Sequence, residues 1–67
     1  MKKTLNQLKA SRRNLSLMLL AGMITNLKYI KHSVRDTEVV IRIDTLLTAI
    51  ERLRSSIKET TYESWSA

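Results

Sequence analysis

The sequence predicts an all-α fold: a helical hairpin, its first helix kinked or broken near Gly22, self-associating into a four-helix bundle or coiled-coil dimer. Three observations carry this. Val39, Ile43, Leu46, Ile50, Leu53 and Ile57 alternate at spacings of four and three, the signature of a helix seam. From Leu15 to Ile24 only Ser16 interrupts apolar and small residues, so that segment is greasy on every side and needs more cover than one partner helix gives. With 67 residues and no cysteine, the chain can hold only one domain, and it has no disulfide to supplement a small core. Association is the remaining source of stability.

The first helix is expected over about residues 4–31. At about 100° per residue, Leu5, Leu8, Leu15, Met18 and Leu19 gather on one face. Leu20, Met23, Leu27, Ile30 and Val34 gather on another, rotated by about 90° from the first. The change falls near Gly22, the one glycine, so the helix bends there, breaks there, or serves two seams. Residues 32–36 are expected to turn without Gly or Pro. The second helix is expected over about 37–60, capped by Asp36 or Thr37, with Ser33 and Asp36 at capping-box spacing. Glu38 suits its positive end and Lys58 its negative end. Glu38 to Ile43 is β-branched enough for a strand, but the seam runs through it in phase, and helix is the stronger reading. Residues 61–67 lack periodicity and read as a frayed tail in which Tyr62 and Trp65 are potential anchors.

From this pattern the self-association core is assigned to Val39, Ile43, Leu46, Ile50, Leu53 and Ile57, with Leu15, Leu19, Met23, Leu27 and Ile30 from the first helix. The net charge of +6 is unevenly spread. Met1 to Arg35 carries eight basic residues and no acid; Asp36 to Ala67 carries four basic and six acidic residues. The halves are therefore expected to attract each other, within or between chains. The first half also offers a basic face, with Lys9, Arg12, Arg13, Lys28, Lys31 and Arg35 within about half the helix circumference. Such a face suits an acidic protein, a phosphate backbone or an anionic membrane surface.

Catalytic chemistry is not expected. Two packed helices offer no shielded pocket in which a nucleophile, a base and an orienting group converge. His32 sits at the turn with Asp36 four residues on, and a solvated turn histidine is the simpler reading. Asp44 with Glu51, and Glu59 with Glu63, share helix faces, but no Glu-x-x-His partner accompanies them. No catalytic residue, metal ligand or cofactor site is assigned. No apolar run reaches the roughly 18 residues of a membrane span.

Ser11-Arg12-Arg13-Asn14-Leu15, preceded by Lys2 and Lys3 and followed by the apolar run to Ile24, resembles a twin-arginine export signal. The resemblance covers Lys2 to Ile24 and implies that the arginines are read by export machinery while the apolar run inserts. It ranks third among the functional expectations. First is a small, non-enzymatic, cytoplasmic regulatory or adaptor protein, homodimeric and binding another protein, of the kind phages and plasmids use as accessories. Second is a DNA- or RNA-binding accessory protein using the basic face. That reading has the charge but neither a glycine turn between helices nor stacking aromatics.

Overall fold

The computed structural model describes residues 4–66. It is an antiparallel pair of helices, α1 (Leu5–Ser33) and α2 (Thr37–Lys58), followed by a single 3-10 turn at Tyr62–Ser64. No strand occurs among the described residues. Lys2, Lys3 and Ala67 lie outside them.

Each helix begins where its sequence supplies a cap. Thr4 and Gln7 form a reciprocal capping box: the Gln7 N–H donates to Thr4 Oγ1 at 3.2 Å and the Thr4 N–H donates to Gln7 Oε1 at 2.8 Å. Asp36, one of the two expected caps, accepts from the Val39 N–H at 3.1 Å. Ser33 is not part of a capping box with Asp36; its hydroxyl turns back to the Tyr29 carbonyl at 2.9 Å. Between the helices Val34 is extended, with φ −92° and ψ 141°, and its N–H closes the end of α1 on the Ile30 carbonyl at 3.0 Å. The chain reverses in three residues with no positive φ, and so without glycine.

Of the alternatives at Gly22, a break does not occur. The α1 helix runs without interruption through Gly22, whose φ is not positive and whose missing Cβ would meet nothing within 4 Å. This glycine is not a close-approach site within the chain. The β-branched run Glu38 to Ile43 lies wholly inside α2.

The two helices meet along one seam. In α1 it consists of Ala10, Arg13, Leu17, Leu20, Ile24, Leu27 and Lys31, extended by Val34; in α2 it consists of Val40, Ile43, Leu47, Ile50, Arg54 and Ile57. Both series alternate by three and four, as interlocking helices require. Lys31 Nζ bonds Asp44 Oδ1 at 2.7 Å near the turn, and Arg13 Nη1 reaches the Thr60 carbonyl at 3.5 Å towards the far end, which fixes the antiparallel register. The Lys31–Asp44 pair realises, within one chain, the expected attraction between the basic and acidic halves.

The tail is partly ordered. Trp65 Nε1 donates to Thr60 Oγ1 at 2.7 Å, and the Arg13 guanidinium lies 5.8 Å from the Tyr62 ring centroid. Tyr62 thus meets α1 at the open end of the hairpin, while Trp65 folds back onto Thr60.

The pair is a single layer, 51 × 21 × 12 Å, whereas folded domains are built from at least two packed layers. Its surface of 5514 Å² exceeds by about a quarter the roughly 4,400 Å² expected for a folded monomer of 7.8 kDa. Against an unfolded surface of about 11,300 Å², only about half is buried, below the roughly 60% of a typical 60-residue domain.

Candidate functional site: an outer apolar face and a basic open end

Burial divides the expected core residues into two groups. Ile43, Leu47 and Ile50 are 7%, 8% and 5% exposed, while Val39, Leu46 and Leu53 remain 38%, 47% and 50% exposed. Of the expected α2 seam, Ile43, Ile50 and Ile57 therefore turn towards α1, and Val39, Leu46 and Leu53 flank that seam on one side. In α1 only Leu27 of the expected core is a seam residue; Leu15, Leu19, Met23 and Ile30 are exposed. Leu17, Leu20 and Ile24 occupy the seam positions instead.

Six of the exposed apolar residues share one side of the hairpin, while Met18 and Ile41, 71% and 59% exposed, lie on the other. A dyad perpendicular to the plane of an antiparallel pair exchanges its helices while keeping each face, so equivalent flanking positions share a face. Met23 and Ile30 precede the seam residues Ile24 and Lys31 by one position, as Val39, Leu46 and Leu53 precede Val40, Leu47 and Arg54. These five residues therefore line one face of the hairpin, and Leu19 extends it four positions before Met23. By the observed register Ile30 lies opposite Leu46 and Met23 opposite Leu53. Leu15 turns to the outer edge of α1, beside Leu8.

The opposite face follows the other flank and is charged. Lys28 and Arg35 stand there on the α1 side, with Asp44 and Glu51 on the α2 side. One face is thus apolar and the other carries mixed charge.

The six expected basic residues do not form one surface. The half of α1 that bears them is centred on the side facing α2, so the packing divides them. Arg13 and Lys31 are half-buried in the seam; Arg12, Lys28 and Arg35 are exposed, and Lys9 is half-buried. Lys9 and Arg12 lie near the open end on the flank that carries the apolar face, whereas Lys28 and Arg35 lie near the turn on the charged flank. The Nε atoms of Arg13 and Arg54 are both buried without a hydrogen-bond partner. Arg54, at a seam position of α2, was absent from the expected basic set, and it adds a cation near the open end.

Among the described residues no three His, Cys, Asp or Glu side chains come together as a metal site, and no helix is long and apolar enough to cross a membrane. His32 is exposed, and Asp36 is engaged as the α2 cap. A surface depression of about 300 Å³ is lined by Arg13, Thr60, Thr61 and Tyr62, and another of about 530 Å³ lies along the outer side of α2 between Thr48 and Glu59. In the larger one the Thr48 and Ser56 hydroxyls are engaged with backbone carbonyls of their own helix. Comparisons with protein-family models, with curated proteins and with solved structures returned no match.

Proposed function

We propose that this chain is a small, non-enzymatic interaction protein of the cytoplasm, working as a regulator or adaptor. Its hairpins pair through the outer apolar face into a four-helix bundle, and its basic open end engages an acidic surface of another protein. The observation that carries this reading is the segregation of Leu19, Met23, Ile30, Val39, Leu46 and Leu53 onto one exposed face of a single-layer fold. A contiguous apolar face of this kind marks an interaction site. The surface excess of about 1,100 Å² per chain is of the size that a standard interface removes, roughly 800 Å² per partner.

Sedimentation equilibrium at micromolar concentration tests the pairing. The wild type is expected at twice the 7.8 kDa chain mass. A monomer that melts cooperatively would overturn the reading.

A second reading, favoured by the cations near the open end, is that the acidic partner is nucleic acid. Lys9→Glu with Arg12→Glu tests it, because neither is a seam position, unlike Arg13. If nucleic acid is the partner, the double variant loses retardation of DNA or RNA while keeping its circular dichroism. Absence of salt-sensitive retardation by the wild type leaves the acidic protein as the partner.

A further inference from the structure

We infer that the guanidinium of Arg13, in the depression at the open end, is the point at which one carboxylate of the acidic partner is held. This rests on the reading of the open end as a protein-binding surface, and it adds the residue and the chemical group.

Arginine carries five N–H donors and no acceptor, and it is charged at every ordinary pH. The Arg13 side chain makes one hydrogen bond among the described residues, from Nη1 to the Thr60 carbonyl at 3.5 Å. That is long beside the roughly 2.7–2.9 Å of a charge-assisted bond. Its Nε is enclosed without a partner, whereas Nη2 is not enclosed. Most of the donor capacity of a half-buried charge is therefore unused, which is costly unless something else takes it up.

The group is nevertheless held in place. Its central carbon lies 5.8 Å from the Tyr62 ring centroid, and its stem starts from a seam position of α1. An arginine fixed by stacking and packing has little further freedom to lose when a ligand arrives. The enclosed Nε leaves the Nη edge as the side a ligand reaches. Two N–H bonds from that edge match the two oxygens of one carboxylate.

The surroundings suit the same group. The depression of about 300 Å³ is lined by Arg13, Thr60, Thr61 and Tyr62, so no acidic side chain competes within its lining. The Thr60 hydroxyl is already engaged, donating to the Ile57 carbonyl at 2.6 Å and accepting from Trp65 Nε1 at 2.7 Å. The Thr61 hydroxyl does not cap the 3-10 turn that follows it, which leaves it as a further donor. Arg54 is the contrast: its Nε is enclosed and unpartnered too, but it lines neither depression. One guanidinium in a depression balances one carboxylate, whereas a nucleic-acid backbone brings a row of phosphates.

The probes are polyglutamate and inorganic phosphate, each added at constant ionic strength while the Arg13 Nε–H signal is followed by heteronuclear NMR. Polyglutamate is expected to shift that signal saturably. Arg13→Lys, which keeps the charge and loses the planar fork, is expected to bind polyglutamate about tenfold more weakly. Arg12→Lys, at an exposed position, is expected to bind as the wild type does. Circular dichroism checks that both variants are helical, and the wild-type signal decides alone if Arg13→Lys unfolds. Polyglutamate that binds without moving the Arg13 signal, or that binds folded Arg13→Lys as tightly as wild type, overturns the site and leaves the basic open end standing as a protein-binding surface. A saturable shift with phosphate and none with polyglutamate overturns the carboxylate. Polyglutamate that does not bind at all overturns the acidic-partner reading together with the site.

Discussion

Replacing Leu46 by Ala separates a face that is merely exposed from one that is an interface. In the lone hairpin Leu46 is 47% exposed, so about half its side chain has left water. A fully buried Leu→Ala change costs about 2–5 kcal/mol. Half-burial therefore implies a loss of about 1–2 kcal/mol within one chain. If the second copy covers the other half, each protomer loses about a further 1–2 kcal/mol and the dimer about 2–4 kcal/mol. At 1.4 kcal/mol per decade this weakens association roughly thirty- to a thousand-fold. Sedimentation equilibrium over a concentration series, with melting followed by circular dichroism, reads both effects. The wild-type Tm rises with concentration, and that dependence moves to much higher concentration in Leu46→Ala. Ile50→Ala is the contrast, because Ile50 is covered within its own chain and its loss lowers Tm at every concentration. An unchanged dissociation constant in Leu46→Ala would refute the assignment of the outer face, however stable the variant proved.

Three further outcomes follow from the geometry. Gly22→Ala should raise Tm by several degrees in circular dichroism, since it removes about 1 kcal/mol of helix-interior glycine cost and the added methyl meets nothing within 4 Å; a lowered Tm would mean that another chain approaches Gly22. Arg54→Leu should stabilise the hairpin in denaturant melts, because it replaces a seam arginine whose buried Nε has no partner with a side chain that fills the seam; a loss of stability would show that Arg54 is paired in the assembled state. Asp36→Ala should cost about 1 kcal/mol by removing the cap on the Val39 N–H, and Asp36→Asn should restore most of it in the same melts.

The α2 helix was largely legible because its apolar residues recur cleanly and its start carries Asp36 and Glu38. Its orientation was less so. Val39, Leu46 and Leu53 fall on one side of Ile43, Ile50 and Ile57, and Val40, Leu47 and Arg54 fall on the other. With Val40 and Leu47 apolar, two seams fit the same helix, and only burial tells which faces α1. In α1 the true seam was obscured because three of its positions are Ala10, Arg13 and Lys31. Selecting large apolar residues favours Leu15, Leu19, Met23 and Ile30, which lie outside. Gly22 suggests a kink because two apolar faces change over near it, yet the change marks one uninterrupted helix serving two surfaces. The Thr4 and Gln7 capping box is readable from its spacing of three.

The polar residues of the seam bear on the proposed pairing. Lys31 is held by Asp44 near the turn, and Arg13 by the Thr60 carbonyl and the Tyr62 ring near the open end. Such groups fix the register of a helix pair at a cost in stability. Between them the intrachain core reduces to Leu17, Leu20, Ile24 and Leu27 against Ile43, Leu47, Ile50 and Ile57. Two facing rows of four aliphatic side chains must offset the ordering of two long helices, each residue of which costs roughly 1–2 kcal/mol in backbone entropy alone. The outer face offers a comparable set of six further apolar residues, left uncovered by the hairpin itself. A sequence selected only for a solitary hairpin would place its apolar residues at Ala10, Arg13, Lys31 and Arg54 before placing any at Leu19, Met23, Leu46 or Leu53. That this chain does the reverse is the strongest reason to regard the hairpin as half of its working structure.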